Sequence, residues 1–409
     1  ATLTAQQGHR VLLLERARYP RFKIGESLMP ATYWTLERMG VLQKIKDSRF
    51  VRKYSVQFYT RTGKGSAPFY FQETDPHESS VTWQVLRSEF DALLLEHAAE
   101  QGVEVRRGAN VKDVLFEGER AVGVQAEFEG EGTLDLSCRV VVDATGQTAL
   151  ISRKLGLRQP DPELKKASFF THFEGAYRDP GIDEGATLVL HTETADAWFW
   201  YIPLPDDRVS VGVVGSPEYL LAGRQGDPQA LFEQEVARCP ALKPRLEGAR
   251  QLFPVQATRD FSYRSSRVAG DGWVLVGDAF GFLDPIYSSG VFLALKSGEM
   301  AADAIHDALT ADDVSAARLG AFGPGFAEGM ESMRKLVYAF YEKDFSFAQF
   351  LGQFPEHRLE LIHLLVGNVF REGAMDQLFA DMSQMCRLPE AAPLKAAEAG
   401  AAAVAAPGH

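Results

Sequence analysis

Residues 272–291 (GWVLVGDAFGFLDPIYSSGV) combine a carboxylate, a tight turn and a helix start in one short segment. Asp278 follows an apolar, strand-like run beside Gly277, where its carboxylate can accept hydrogen bonds from a polyol. A turn and a long helix are predicted next, at Asp284-Pro285 and at Ser288, Ser289, Gly290 and Val291. Because the first N–H groups of a helix have no partner within it, this helix start suits an anion or the electron-rich edge of a flavin ring. An ordinary N-cap needs only one Ser, so the combined segment favours cofactor binding.

Two other acidic residues end apolar runs and suggest contacts with a nucleotide. Glu15 closes residues 9–15, where a dinucleotide-binding fold places the carboxylate that hydrogen-bonds a ribose 2′-hydroxyl. Asp143 leads into a small-residue turn ending at Gly146, and small residues let the backbone approach a nucleotide closely. Each feature has a plainer alternative. Glu15 can be a solvated strand end, and residues 143–146 an ordinary turn between a strand and a loop.

The glycine-rich turn of a dinucleotide-binding fold should lie just before Ala1. The chain opens on ATLTAQQGHRVLLLE, which is typical of the helix and strand that follow such a turn. We therefore expect the natural protein to have about 20 more N-terminal residues, enough for one strand and one turn.

The candidate residues must be positioned by alternating helices and buried strands. Helices are predicted at 1–7, at 30–46, from a Ser88 cap, at 288–309 and within 319–385; strands at 9–15 and 273–278; and an antiparallel insert at 103–143. This pattern predicts an α/β fold, a Rossmann-like nucleotide-binding domain interrupted by a β-rich substrate-covering domain and followed by a helical C-terminal region. The expected boundaries are 1–164 and 265–310 for the nucleotide-binding domain, 165–264 for the β-rich domain, 311–390 for the helical region and 391–409 for a flexible tail.

Composition excludes several classes of function. The chain has 43 Lys and Arg against 55 Asp and Glu, a net charge of −12, which disfavours binding to nucleic acid or to an anionic membrane. Its three cysteines form no CxxC pair, so a reduced, cytoplasmic chain is expected. The histidines lack metal-ligand spacing, and no apolar run approaches the roughly 18 to 20 residues of a membrane helix. We expect no bound metal and no membrane association.

Several motifs, taken in chain order, resemble the FAD-binding landmarks of class A flavoprotein monooxygenases and their halogenase relatives. They are Glu15-Arg16, Lys23-Ile24-Gly25-Glu26-Ser27, Gln84 to Arg87 with Phe90-Asp91, Asp143 to Gly146, Gly277-Asp278 and Asp284-Pro285. Residues 198–203 also match W-x-W-x-I-P, the string that sets flavin-dependent halogenases apart. The string GESLMPA and the two serines before Gly290 resemble the branch of halogenases that act on phenols, pyrroles and carrier-tethered substrates. The resemblance covers about residues 1 to 345.

The resemblance implies FAD as the cofactor, supplied in its reduced form by a separate flavin reductase. The residues it assigns to FAD are Glu15, Arg16, Glu26, Ser27, Arg87, Asp143, Gly146, Asp278, Pro285, Ser289, Gly290 and Val291. It places chloride or bromide at the helix amides near Ser289 and Gly290. It also implies that Trp198 and Trp200 form a wall between the flavin and the substrate. From their pattern alone, the two indoles could equally fill a core on one face of a strand.

Lys53 is the candidate catalytic residue. Halogenation needs a side chain that can carry an electrophilic halogen, and a buried lysine amine suits this task because its pKa shifts readily. The family position, 26 residues after the GES turn, points to Lys53. The plainer alternative is a surface lysine on a strand. The sequence after it, Tyr54-Ser55-Val56-Gln57-Phe58, lacks the Gly and Trp-Gly that often follow this lysine in the family.

The resemblance thus predicts a flavin-dependent halogenase that acts on an electron-rich phenol or pyrrole, free or tethered to a carrier protein, in secondary metabolism. Two alternatives remain at this point. A class A hydroxylase would share every FAD landmark but transfer oxygen without a halogen. A non-catalytic relative that binds a carrier domain or a small molecule is supported only by the missing glycine-rich turn.

Overall fold

A computed structural model describes residues 1–19, 21–221, 227–259, 262–370, 373, 375–391 and 394–395. In these residues the strands are β1 (Leu12–Glu15), β2 (Val51–Lys53), β3 (Ser55–Tyr59), β4 (Phe69–Tyr70), β5 (Thr82–Gln84), β6 (Glu104–Arg107), β7 (Ala109–Glu117), β8 (Arg120–Phe128), β9 (Gly132–Ser137), β10 (Val141–Asp143), β11 (Arg158–Pro160), β12 (Ala167–Glu174), β13 (Thr187–His191), β14 (Ala197–Leu204), β15 (Arg208–Gly215), β16 (Arg250–Gln251), β17 (Gln256–Arg259), β18 (Tyr263–Ser265), β19 (Ala269–Gly270), β20 (Trp273–Leu275) and β21 (Gly281–Phe282).

The helices of the same residues are α1 (Thr2–Gln6), α2 (Thr32–Arg38), α3 (Leu42–Lys46), α4 (Arg87–Glu100), α5 (Leu150–Lys154), α6 (Pro217–Leu221), α7 (Pro228–Ala237), α8 (Ser289–Thr310), α9 (Ala316–Leu319), α10 (Gly323–Tyr341), α11 (Phe347–Gln353), α12 (Arg358–Val366) and α13 (Asp376–Met382). The expected mixed α/β architecture is confirmed. No helix in the described part of the chain is both long enough and apolar enough to span a bilayer.

The strands that carry the acidic ends are short and parallel; β20 is buried throughout, β10 is buried at both ends, and β1 is only partly buried. β1 pairs with β6, and β10 pairs with β20, both in parallel register. Parallel strands place their carboxyl ends at the same edge of a sheet, where nucleotide-binding folds hold their ligand. Glu15 and Asp143 close β1 and β10, and Asp278 follows β20 by three residues.

The predicted antiparallel insert is present as the three-stranded sheet β7-β8-β9. The β-rich region forms a larger sheet, in the order β16-β12-β15-β14-β13-β3-β4, with β17 also pairing with β12. β3 runs parallel to β13, so the sheet includes two strands from the segment that sequence analysis placed in the nucleotide-binding domain. This sheet therefore links β3, which begins two residues after Lys53, through β13 to β14, the strand that carries the W-x-W-x-I-P string.

Alternation along β14 sends its side chains into two different cores. Trp198, Trp200 and Ile202 pack in the larger core, which also contains residues of α2, α8, α10 and α12. Phe199 and Tyr201 pack in the smaller core on the opposite face of the sheet, with residues of α6 and α7. A strand whose two faces are both covered is expected to be apolar throughout, and every residue of β14 is buried.

Two local predictions are wrong. The helix expected at 30–46 is split into α2 and α3, because Gly40 adopts a left-handed conformation with φ of 78° and ends the first helix. Ser88 does not cap the next helix, since α4 already begins at Arg87 and its N-cap residue, Leu86, makes no side-chain capping bond.

The expected C-terminal helical region is present as several separate helices, α9 to α13. The predicted tail falls outside the described residues except for 391, 394 and 395.

Candidate active site

The GES turn lies at the centre of the site and is anchored first by Arg87. Gly25 has φ of 96°, and a Cβ at this position would lie 2.9 Å from Arg87 Nη1 and 3.7 Å from a methyl of Val291. Arg87 Nη1 donates to the carbonyls of Ile24 (2.7 Å) and Gly25 (3.2 Å). The same guanidinium makes a bidentate pair with Asp91, at 2.8 and 3.1 Å. Arg87 and Asp91 therefore hold the turn against the start of α8, where only glycine fits.

Glu26 and Ser27 extend this anchoring to the large sheet. Glu26 is 2% exposed, and its Oε1 lies 2.9 Å from Nε2 of His172 on β12. Ser27 Oγ lies 2.9 Å from Oγ1 of Thr187, the first residue of β13. Gln84 Nε2 donates to the same Thr187 hydroxyl at 2.9 Å. The turn thus contacts both β12 and β13 through polar side chains.

Lys53 is buried at the end of this polar network. Its side chain is 4% exposed, and Nζ donates to Ser27 Oγ (2.9 Å) and to the Leu28 carbonyl (3.2 Å). The amine also lies 5.4 Å from the ring centroid of Phe71. Burial lowers the pKa of Lys53 to about 7. Within the described residues no carboxylate lies at ion-pair distance, so the charged form has only neutral partners.

Two polar atoms, one on the strand that pairs with β2 and one on the strand that follows it, are buried without a hydrogen-bond partner in the described part of the chain. They are Oε1 of Gln84 and Oγ of Ser55. Buried polar groups are nearly always satisfied, and a bound molecule or water can supply the missing partner. A small polar molecule bound between these strands would supply the missing partners.

Asp278 and the start of α8 form the second part of the site. Asp278 is partly buried, and its carboxylate makes no hydrogen bond or ion pair to another described residue. Burial raises the pKa of Asp278, and the positive charges of Lys23 and Arg87 partly oppose this rise. Ser288 precedes α8 with φ of 57° and provides no side-chain cap. A Cβ on Gly290 would lie 2.9 Å from the ring of Phe282, so glycine permits close packing there.

The remaining residues that are predicted to contact the nucleotide lie near the edge of the parallel strands. They differ in how many hydrogen bonds their side chains already make within the protein. Asp143 is 3% exposed and accepts bonds from Thr145 N (3.0 Å), Thr145 Oγ1 (2.7 Å) and Ile151 N (2.8 Å), so its carboxylate shapes the turn that contains Gly146. Glu15 Oε1 accepts from Ala17 N at 2.7 Å, and Glu15 Oε2 lies 3.4 Å from Tyr19 Oη and 3.7 Å from Arg21 Nη2. Arg16 beside it is exposed.

These residues fit an FAD. Asp278 offers an acceptor that no described group satisfies, as a polyol hydroxyl would require. The first N–H groups of α8 lack a side-chain cap, and they are the donors that an anionic or electron-rich group needs. Glu15 stands at a strand end where a ribose is bound in folds of this kind. The chemistry of the donor set therefore agrees with a dinucleotide that carries a flavin ring.

Trp198 and Trp200 lie on one face of β14 and are 2% and 6% exposed. Trp198 Nε1 donates to Tyr341 Oη at 3.0 Å, and Trp200 Nε1 donates to Ser210 Oγ at 3.1 Å. The Trp200 ring covers Gly212 on the adjacent strand, where a Cβ would lie 2.2 Å from it. Both indoles are thus fixed by hydrogen bonds as well as by packing.

Sequence reasoning missed three residues of the site. His172 and Tyr341 contact Glu26 and Trp198 across 146 and 143 residues of chain. No local motif marks His172, and Tyr341 belongs to a run of aromatic residues near helical spacing, a pattern that favours a core over a pocket. Asp284 was predicted to lie in a turn and, by resemblance, in an FAD-binding landmark, but no role was given to its carboxylate; this buried carboxylate accepts bonds from the Tyr341 hydroxyl and from Ile286 N. The apolar positions around Asp284 were the one available signal, because a buried acid requires polar partners.

The fold and the site together define a flavoprotein that uses FAD. The comparisons with known proteins identify its family. The tryptophan halogenase family model matches residues 63–352, and the chain belongs to this family. It is therefore a flavin-dependent halogenase, an enzyme for which halide is a substrate.

Three relatives show the range of similarity. A 1H-pyrrole-2-carbonyl-(peptidyl-carrier protein) chlorinase from Pseudomonas fluorescens is 30% identical over 391 residues, covering 90% of this chain and 86% of the relative. A 1H-pyrrole-2-carbonyl-(peptidyl-carrier protein) brominase from Pseudoalteromonas luteoviolacea is 32% identical, covering 89% and 87%. The solved structure of the flavin-dependent brominase Bmp2 matches with a TM-score of 0.84 at 30% identity, covering 94% of each chain.

Proposed function

We propose that this halogenase chlorinates or brominates a pyrrole ring carried on a peptidyl carrier protein, with reduced flavin delivered by a separate reductase. The observation that carries the proposal is the buried Lys53 amine, which has only neutral partners and is connected through Ser27 and Thr187 to the sheet of the W-x-W-x-I-P strand. Two relatives that match about nine-tenths of this chain act on a carrier-bound pyrrole, and they support this substrate class.

The proposed FAD site uses residues from five separate segments. They are Glu15, Arg16, Glu26, Ser27, Arg87, Asp143, Gly146, Asp278, Pro285, Ser289, Gly290 and Val291. Reduced flavin supplies the electrons with which dioxygen and halide yield hypohalous acid. Asp278 accepts hydrogen bonds from the cofactor, Asp143 shapes the turn beside it, and Arg87 holds the GES turn in place. The uncapped amides near Ser289 and Gly290 hold the halide.

Lys53 binds hypohalous acid and presents the halogen to the substrate ring. A neutral amine has a lone pair that can accept a hydrogen bond from the acid, or can attack its halogen so that an N–halogen bond forms, the halogen–oxygen bond breaks and the oxygen leaves with an amine proton as water. With a pKa of about 7, the amine is half neutral near that pH, whereas an exposed lysine would be almost wholly protonated. Ser27 and the Leu28 carbonyl orient the amine, since both accept its hydrogen bonds.

Trp198 and Trp200 form the wall between the flavin and the substrate. Indole rings exclude water from the region that they border, and water exclusion limits the loss of a reactive halogen species. Because hydrogen bonds to Tyr341 and Ser210 fix the two rings, the wall keeps its shape.

A product assay tests the proposed function. The protein is incubated with FAD, a flavin reductase, NADH, dioxygen and either chloride or bromide, and the substrate is pyrrole-2-carboxylate loaded on a peptidyl carrier protein. Free pyrrole-2-carboxylate and free phenols serve as parallel substrates, and products are weighed by mass spectrometry. We expect a halogen-for-hydrogen mass shift on the carrier-bound ring. A halogenated free phenol with an unmodified carrier-bound ring would contradict the substrate assignment, and gain of one oxygen without halogen would contradict halogenation by this site.

A further inference from the structure

Trp198, Tyr341 and Asp284 form a hydrogen-bonded chain that joins three distant elements. Trp198 Nε1, on β14, lies 3.0 Å from Tyr341 Oη at the end of α10. Tyr341 Oη lies 3.0 and 3.2 Å from the two carboxylate oxygens of Asp284, in the turn before α8. Asp284 is 1% exposed and Trp198 is 2% exposed, so water cannot readily replace these contacts.

The chemistry of the three groups fixes the direction of the chain. An indole N–H can only donate, so Tyr341 Oη must accept from Trp198. The phenol has one hydrogen, which it donates to the Asp284 carboxylate. Loss of the Tyr341 hydroxyl would therefore leave two buried polar groups without this partner, the Trp198 N–H and one side of the Asp284 carboxylate.

The groups around Asp284 keep its carboxylate responsive to pH. Burial raises the pKa of Asp284 to about 7, opposed by bonds from Ile286 N and Tyr341 and by the charge of Lys166. Lys166, just before β12, places Nζ 3.8 Å from the Tyr341 ring centroid. Tyr287, in the same turn as Asp284, has a strongly raised pKa because it is buried near this carboxylate. Among the described residues, Lys166 is the one outside this turn whose charge acts on the Asp284 carboxylate.

We propose that Tyr341 is a positioning residue for halogenation, because its hydroxyl ties the Trp198 indole to the Asp284 carboxylate and so fixes the wall of the substrate region. This inference rests on the proposed function, which makes Trp198 part of that wall. An ionised Asp284 polarises the Tyr341 hydroxyl and makes its oxygen a better acceptor, since linked hydrogen bonds strengthen one another. The Trp198 indole is therefore held most firmly above the pKa of Asp284.

NMR of the indole N–H groups tests the chain without reference to activity. The protein has five tryptophans, and Trp198→Phe identifies the signal of interest in ¹⁵N-labelled protein. We expect the Trp198 signal to move downfield as pH rises, with a midpoint near 7. In Tyr341→Phe the signal should lie upfield and lose its pH dependence. In Asp284→Asn it should stay hydrogen-bonded but stop titrating, because the amide still accepts from Tyr341 but carries no charge.

Tyr338→Phe is the matched control. Tyr338 lies on the same helix and donates to Asp161 at 2.7 Å, so this change also removes a phenol hydroxyl but leaves the chain intact. The Trp198 signal of the Tyr338→Phe variant should match that of the wild type. A Trp198 signal that is the same in Tyr341→Phe and in the wild type overturns the proposal.

The yield of halogenated product per flavin oxidised provides the functional measurement. A displacement of about 1 Å can cost up to roughly a hundredfold in rate, and we expect this yield to fall about tenfold in Tyr341→Phe while flavin reoxidation persists. The control Tyr338→Phe should keep the wild-type yield. Absence of halogenated product from the wild type would reject the proposed function, whereas a normal wild-type yield that is unchanged in Tyr341→Phe would reject the positioning role alone.

Discussion

The Lys53 amine donates a 2.9 Å hydrogen bond to the Ser27 hydroxyl, which lies 26 residues earlier in the chain. This contact brings the GES turn and β2 together at one buried amine, and Ser27 extends the contact to Thr187 on β13. Because every partner is neutral, the environment favours the uncharged amine over the ammonium. The contact thus makes Lys53 both a reactive group and a source of instability, and the first three predictions concern these two consequences.

Lys53→Met should abolish halogenation while flavin oxidation continues. Methionine keeps most of the apolar volume but has no amine to bind hypohalous acid, so we expect product to fall by about a hundredfold or more. Product is measured by mass spectrometry and flavin reoxidation by absorbance in the same reaction. Lys64→Met, which changes an exposed lysine, is the control and should retain wild-type yield. Wild-type yield in Lys53→Met would remove this amine from the mechanism.

Halogen transfer should accelerate as pH rises through about 7, because Lys53 loses its proton in that range. Below this pH the amine is an ammonium and has no lone pair for the halogen. Single-turnover product formation, started by adding oxygen to protein preloaded with reduced flavin, separates this dependence from that of the reductase. A rate that falls as pH rises through 7 would contradict a role for the neutral amine.

Lys53→Met should also stabilise the fold. The pKa of Lys53 is lowered from 10.5 to about 7 on folding, so between these values the unfolded chain binds more protons than the folded chain. The free energy of unfolding therefore rises with pH across this window. Below pH 7 the full cost of burying the protonated amine remains, and each unit of pKa difference corresponds to about 1.4 kcal/mol. Urea unfolding at pH 6.5 and pH 9 should show a gain in the variant that is larger at pH 6.5. Lower stability of the variant at pH 6.5 would show that the lost hydrogen bonds outweigh the buried charge.

The sequence alone was enough to predict the position of residues that belong to a local pattern. The alternation of W-x-W-x-I put Trp198 and Trp200 on one face of a strand, and the apolar runs before Asp143 and Asp278 are strands that end beside a turn. Burial of Lys53 followed from family position rather than from its neighbours, since Arg52 and Tyr54 give no such signal. The spacing of apolar residues predicts such positions because it reflects the repeat of the backbone within a single strand or helix.

Contacts between distant segments could not be predicted in this way. His172 and Tyr341 reach the site because β12 lies against the GES turn and α10 lies against β14, and these contacts join residues that are far apart in the chain. The break between α2 and α3 was also missed, since a single glycine within an apolar period is compatible with a continuous helix. In the structure Gly40 has φ of 78°, which ends α2.

Gly25→Ala should impair FAD binding more than it impairs folding. A Cβ at this position would lie 2.9 Å from Arg87 Nη1, and the φ of 96° is strained for any other residue. The guanidinium must then move, which loosens the GES turn from α8. Isothermal titration with FAD should show affinity reduced about tenfold or more, since a strained backbone costs about 1 to 3 kcal/mol. Gly8→Ala, also at positive φ but with open space around it, is the control for strain alone. Equal loss of affinity in both variants would exclude a specific role for the Arg87 contact.

Gly212→Ala should displace Trp200 and destabilise the large sheet. Gly212 pairs directly with Trp200 across β14 and β15, and a new Cβ would lie 2.2 to 2.5 Å from three atoms of the indole. Trp200 cannot withdraw easily, because its ring packs 6.0 Å from Phe170 and its N–H is bonded to Ser210. Overpacking of this kind costs about 1 to 3 kcal/mol, so the free energy of unfolding should fall by that amount and the yield of halogenated product per flavin oxidised should fall with it. Gly298→Ala, in α8 with no atom within 4 Å of the new methyl, should be neutral or slightly stabilising. If both alanine variants unfold with the wild-type free energy, the indole is free to move and does not form a fixed wall.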